Sequence, residues 1–159
     1  MKVAMVGAEL EENLALRYMA SALESRGHEV EIVPFNSGED LPGAVAQINR
    51  FDPEITGLSM IFTGRAREFC RLAEGLRHAA YQGHLIAGGH FAAFNCERLL
   101  NEHPAFDSVG LGEGENLICA MADHLDQIER IPGVCYRGPD GSPMTNPIAL
   151  TRIDPLLLR

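Results

Sequence analysis

The sequence predicts an α/β fold, a doubly wound five-stranded parallel sheet with helices on both faces. Three observations carry this. Short apolar runs recur at Lys2–Val6, His28–Val33, Pro53–Ile61, His84–Ala87 and Asp107–Gly110. Most are near-continuous, as expected of strands buried on both faces. Segments with apolar residues at three- and four-residue spacing separate them, which is the alternation of a parallel sheet crossed by helices.

Lys2–Val6 reads as a central strand, and Gly7–Glu11 as the loop that leaves it. A helix over about Glu12–Arg26 follows, striped by Leu14, Leu16, Tyr18, Met19, Ala22 and Leu23. Gly27 ends it, since glycine tolerates a left-handed C-cap. His28–Val33 completes a strand–helix–strand unit. A short helix over Leu41–Arg50 offers Leu41, Val45 and Ile48, and Phe51-Asp52-Pro53 restarts the chain as the third strand. A helix over Thr63–Ala80 leads to the fourth strand, which stops at Gly88-Gly89. A loop over Gly88–Ala92 then precedes a short helix near Asn95–Glu102, the fifth strand, and a last helix over Asn116–Leu125. Val134–Arg137 and Met144–Thr145, joined by a Pro139-Asp140-Gly141 turn, predict a small C-terminal hairpin. Asn146–Arg159, with Pro147, Pro155 and Leu156-Leu157-Leu158, reads as a linker-like tail from a cut chain. Crossovers are expected to be right-handed. Five strands fit the flavodoxin-like (Rossmann-like) order 2-1-3-4-5 better than the six-stranded dinucleotide order.

Composition excludes several classes. A length of 159 residues is about one domain with a real core. The formal charge of −9 disfavours nucleic acid. Arg65, Arg67 and Arg71 read as a solvated helix face interleaved with Glu68 and Glu74. No run has the length of a membrane span, and no signal peptide opens the chain. Cys70, Cys96, Cys119 and Cys135 show no CxxC or CxxxCxxC spacing, so local zinc or iron–sulfur ligation is unsupported. Cys70 and Cys119 read as small core residues, and the free-thiol pattern fits a reducing cytoplasm.

In an open parallel sheet, ligands sit outside the C-terminal ends of the strands. Ser59 and Gly88-Gly89 end adjacent central strands there. Three small residues side by side make a slot for a large planar group. His90 follows the slot directly, with Phe91 and Phe94 beside it. Glu113, bracketed by Gly112 and Gly114, is expected to meet a ligand or a neighbouring domain, and Glu115 to favour a helix N-terminus. GxGxxG and GxxxxGK[ST] are absent, which disfavours dinucleotide binding and nucleotide hydrolysis. The first loop holds Glu9, Glu11 and Glu12, which oppose the phosphate of a flavin. No aspartate ends the third strand, which excludes a phospho-acceptor receiver. His28 and His84 lie at the opposite edge, and His78, His103 and His124 read as surface positions. No Ser–His–Asp or Cys–His arrangement is evident, so no self-sufficient catalytic centre is expected.

Several segments together resemble a known group. They are Glu12–Ala20 with Leu23, Arg26-Gly27-His28 and Val30; Asp52-Pro53 with Gly57-Leu58-Ser59; Gly88-Gly89-His90; Asp107–Val109; Gly112-Glu113-Gly114-Glu115; Ile131–Val134; Tyr136-Arg137; and Ile153-Asp154. The chain resembles the cobalamin (vitamin B12)-binding domain at the N-terminus of radical S-adenosylmethionine enzymes. The resemblance implies a corrinoid over the C-terminal sheet edge, with its nucleotide tail in the slot. Ser59 would contact the tail base, and Gly88, Gly89 and His90 would line its channel. Glu9, Leu10 and Asn13 would lie under or beside the ring, and Met60, Gly112 and Glu113 complete the candidate set. Residues 1–128 would form this domain, and 129–159 the hairpin and tail.

Two departures from related patterns shape the expectation. The Asp-x-His-x-x-Gly motif, whose histidine ligates cobalt in methionine-synthase-like domains, is absent from Gly7–Asn13. Bound cobalamin is therefore expected base-off, with no metal-ligating residue from this chain. CxxxCxxC is also absent, so no iron–sulfur cluster belongs to this chain. A radical S-adenosylmethionine domain is the expected partner, in cis or in trans, serving methyl transfer. The alternative is a cofactor-free structural or protein-interaction domain of the same fold.

Overall fold

The computed structural model describes residues 1–10 and 13–148. The expected helix start at Glu12, the carboxylates of Glu11 and Glu12, and the tail segments with Ile153-Asp154 and Leu156–Leu158 lie outside the described residues.

The chain alternates as expected: β1 (Lys2–Gly7), α1 (Leu14–Ser25), β2 (Glu29–Pro34), α2 (Leu41–Phe51), β3 (Ile55–Ser59), α3 (Ala66–His78), β4 (His84–Gly88), α4 (His90–Phe94), α5 (Cys96–Glu102), β5 (Ser108–Gly110), α6 (Gly114–His124), β6 (Val134–Arg137) and β7 (Pro143–Thr145). The first five strands are parallel in the order 2-1-3-4-5. The C-terminal hairpin does more than fold on itself. β6 pairs antiparallel with β5, and β7 with β6, so among the described residues the sheet has seven strands. Val134 and Cys135 are fully buried, which accounts for their docking on β5 rather than facing water.

Two layers of helix cover the sheet. Val3, Met5, Ile55 and Ile86 meet Leu16 and Leu23 of α1 and Leu117, Ile118 and Met121 of α6 on one face. Ala4, Val6, Leu58, Leu85 and Ala87 meet α2, α3 and α5 on the other. Fully burying each such Val, Leu, Ile or Met side chain stabilises the fold by roughly 1.5–3 kcal/mol. Cys70, Cys119 and Cys135 are buried in these layers, and all four cysteines are free. Burial pushes the Cys70 thiol up to about 11.

Two helix starts differ from the sequence expectation. A single 3-10 turn, Thr63–Arg65, precedes α3. The segment after Gly88 is not a loop as far as Ala92, because α4 begins at His90. Gly89 makes that start possible, turning the chain with φ +94° and placing Ala92 in the core. Asn95 then separates α4 from α5, its side-chain amide donating to the Phe91 carbonyl at 2.8 Å.

The N-terminal edge of the sheet is locked by polar contacts. The Arg77 guanidinium donates to the carbonyls of Ala105, Tyr81 and Gly83 and to Asp107 Oδ2 at 2.6–3.1 Å. The buried Thr56 hydroxyl donates to Tyr81 Oη at 2.8 Å, and Tyr81 Oη donates to the Pro53 carbonyl at 3.0 Å. His84 Nε2 lies 2.7 Å from Ser108 Oγ. These groups satisfy one another, and Arg77, Tyr81, His84 and Asp107 line a hollow of about 1140 Å³ at this edge.

Candidate functional site

Side chains alternate between the faces of a strand, so register decides which residues meet. Met5 pairs with Gly57, Gly57 with Ile86, and Ser59 with Gly88. Ile86 pairs in turn with Ser108, two residues before Gly110. Gly57, Gly88 and Gly110 therefore stand on one face of three adjacent strands. Gly57 and Gly110 admit the Met5 and Leu117 side chains against the sheet, Gly88 faces open space, and a slot runs between the sheet and the helices α1 and α6. Its volume is about 320 Å³, at the small end for a ligand site. Met5, Gly57, Ile86, Gly110, Leu117 and Ile118 line its depth, and Ser59, His90 and Glu115 contribute its polar side chains. A Cβ built on Gly88 meets no atom within 4 Å, so that position faces open space.

A second hollow of about 610 Å³ lies on the other side of Ser59. Ala8, Leu10 and Asn13 of the first loop, Phe62 and Arg65 line it. Leu10 is 80% exposed and Phe62 66%, an apolar presentation that water alone does not favour at one hollow. The Arg65 guanidinium is fixed below them. It donates to the Phe35 carbonyl at 2.8 Å and to Glu68 Oε2 at 2.7 Å, over the Phe35 and Phe69 rings.

The first loop is held by named contacts. Asn13 caps α1, accepting from the Leu16 N–H at 3.3 Å, and its amide donates to the Ala8 carbonyl at 3.1 Å. Glu9 pairs with Arg17 at 2.8 Å, and its own N–H donates to Asn36 Oδ1 at 2.6 Å. One oxygen of the Glu9 carboxylate is thus paired with a guanidinium, while Oε1 is buried with no hydrogen-bond partner among the described residues.

The structure brings Ser59, Gly88, Gly89, His90 and Gly112 together around the slot. Ser59 also borders the hollow that holds Leu10 and Asn13, so it is the shared wall between the two spaces. Among the described residues its hydroxyl has no hydrogen-bond partner, and neither has the exposed His90 ring. Met60 contributes only backbone at this edge, for its side chain is fully buried in the α2–α3 layer. Glu113 does not line the slot; it precedes α6 and accepts from Asn116 Nδ2 at 3.3 Å. Glu115 lines the slot instead. Sequence reasoning missed Gly57, Ile86, Gly110, Met19 and Ile118. Glycines inside strands were the available signal for two of them. It also missed Asn36, which carries no local mark of its tie to Glu9.

The arrangement fits a corrinoid on three points: an open edge rimmed by apolar side chains, a narrow slot beneath it, and a free hydroxyl where slot and edge meet. Among the described residues, no three His, Cys, Asp or Glu side chains converge on a possible metal site, and no helix is long and apolar enough to cross a membrane.

Comparison with known proteins agrees with this geometry. The family model of the B12 binding domain matches residues 3–122. Cytidylyl-2-hydroxyethylphosphonate methyltransferase of Streptomyces wedmorensis is 25% identical over 155 residues, covering 84% of this chain and 29% of that protein. The cobalamin-dependent S-adenosylmethionine radical enzyme OxsB, solved with aqua-cobalamin and S-adenosylmethionine bound, matches with a TM-score of 0.79 at 16% identity. That match covers 94% of this chain and 22% of OxsB. The methanol:cobalamin methyltransferase complex MtaBC of Methanosarcina barkeri matches with a TM-score of 0.62 at 13% identity, over 78% of this chain and 45% of that one. At such identities the structural likeness shows the fold. The chain therefore spans less than a third of the methyltransferase and of OxsB. With its family model covering most of its length, the chain belongs to the B12-binding domain family.

Proposed function

We propose that this chain holds cobalamin for a radical S-adenosylmethionine or methyl-transfer enzyme, base-off and without a histidine on cobalt. The carrying observation is the slot of Gly57, Gly88 and Gly110 beside the unpartnered Ser59 hydroxyl, at the open edge of a B12-binding fold. Ser59, Gly88, Gly89 and His90 take the nucleotide tail, and Glu9, Leu10 and Asn13 lie beside the ring, with Gly112 and Glu113 at the rim. When bound, cobalamin supplies a cobalt centre able to carry a methyl group. This chain's residues would orient the corrin and exclude water from its tail, with the lower face open or approached by Leu10 or another first-loop group.

The sequence from Gly7 to Asn13 contains no histidine, which supports a cobalt without a histidine ligand from this loop. The relatives named for methyl transfer and for radical S-adenosylmethionine chemistry support the parent system. The rim of Leu10 and Phe62 is the surface where the catalytic partner closes over the ring. The partner reads as a domain in cis or in trans, since this chain has no CxxxCxxC for a cluster of its own.

Titration with hydroxocobalamin, followed by visible spectroscopy, tests the ligation. The expected spectrum is that of base-off cobalamin with water or nothing below the cobalt. A histidine-ligated or base-on spectrum sinks this reading.

A further inference from the structure

We infer that the slot discriminates among corrinoids by their lower base, accepting an apolar benzimidazole and disfavouring a purine. This rests on the cobalamin reading above and adds to it which corrinoid the chain takes. The depth of the slot is made by Met5, Gly57, Ile86, Gly110, Leu117 and Ile118, all buried and none with a polar side chain. Its three polar side chains are shallow: His90 and Glu115 are exposed at the mouth, and Ser59 stands at the strand end. The backbones of Met5, Gly57 and Ile86 lie within paired registers of the sheet.

Dimethylbenzimidazole offers such a space two methyl groups and, when off the cobalt, one ring-nitrogen acceptor. Its methyls gain from burial against Ile86 and Ile118. Adenine brings an exocyclic amine and more ring nitrogens. Each polar atom that loses water here without gaining a partner weakens binding. Ser59 satisfies one acceptor near the mouth, which serves the benzimidazole nitrogen and leaves the rest of a purine unpaired.

The test is equilibrium dialysis of the purified chain against three probes, read by corrin absorbance: cobalamin, its adenine-base counterpart, and cobinamide, which lacks the base. Cobalamin should bind more tightly than either, by about tenfold or more over the adenine form. The free corrinoids differ in how readily the base leaves cobalt. The preference is therefore measured again in Ile86→Thr, which sets a hydroxyl in the slot. The intrinsic difference cancels between the two proteins, and the preference for cobalamin should fall by about tenfold. If Ile86→Thr does not fold, Gly88→Ser against Gly88→Ala asks the same question at a position where a new Cβ meets no atom within 4 Å. An unchanged preference in the hydroxyl variant overturns the inference. Cobinamide binding as tightly as cobalamin overturns it too, because the base would then lie outside the slot, while cobalamin binding itself would stand. Failure of all three probes to bind overturns the cobalamin reading.

Discussion

Asn36 Oδ1 accepts a hydrogen bond from the Glu9 N–H at 2.6 Å. The two residues belong to different loops, the first leaving β1 and the second leaving β2. Asn36 is itself anchored, its N–H donating to Asp40 Oδ2 at 2.7 Å. Phe35, the residue before it, donates its N–H to the Gly7 carbonyl at 2.8 Å. The loop that would lie beside a corrin ring is thus held from the neighbouring connection. Replacing Asn36 by alanine should weaken cobalamin binding by about fivefold, the worth of one ordinary hydrogen bond. Asn36→Asp keeps the acceptor and should recover part of the loss. Binding isotherms of the two variants, with melting curves beside them, separate a loosened loop from a loosened fold.

Ser59 borders both the slot and the first-loop hollow. A leucine there should fill the junction and reduce cobalamin binding by at least about tenfold, with little change in thermal stability. Equal losses of binding and stability would assign Ser59 a packing role instead.

Gly89 is constrained twice. Its φ is +94°, and a Cβ built on it would stand 2.8 Å from the Met60 carbonyl oxygen. Gly89→Ala should cost about 1–3 kcal/mol of stability through backbone strain alone, with the close contact adding to it. Gly88→Ala is the matched control, because its added Cβ meets no atom within 4 Å. It should leave the unfolding midpoint nearly unchanged and act on cobalamin binding. Denaturant melts of the pair check this.

Stability should also depend on pH through His84. Burial lowers its pKa below the ordinary value of 6.5, against the opposing pull of Asp107. A histidine kept neutral by the fold binds fewer protons folded than unfolded. Its contribution is therefore complete above the unfolded pKa and is lost as pH falls from about 6.5 toward the folded value. The slope contributed is at most about 1.4 kcal/mol per pH unit. His84→Gln should flatten the fall in stability over that range, measured by urea melts at stepped pH. A decline as steep as the native chain's would assign the slope to other groups.

The parallel core was legible because its strands are apolar runs and its helices have a stripe, both of which local sequence records. Met5, Gly57 and Ile86 show what is not local. Each reads as an ordinary strand residue, and only the register that pairs them shows them sharing one wall of the slot. The hairpin of Val134–Arg137 and Pro143–Thr145 was readable as a hairpin, but its attachment to β5 is a tertiary pairing that no turn residue encodes. The start of α4 at His90 was hidden by Gly88-Gly89, which reads equally as a loop until Gly89 is seen to serve as the turn into a helix. Ser59, Gly88, Gly89 and His90 were legible as neighbours because they stand at or just past the ends of adjacent central strands, and in the structure they line one slot.

The most direct test of the account is the cobalamin content of the chain after incubation with hydroxocobalamin and gel filtration. Co-elution is expected at close to one cobalamin per chain, with a base-off spectrum and loss of the bound cofactor in Ser59→Leu. A folded chain that elutes without corrinoid, at tens of micromolar of both components, would contradict it and favour a cofactor-free interaction domain built on the same sheet.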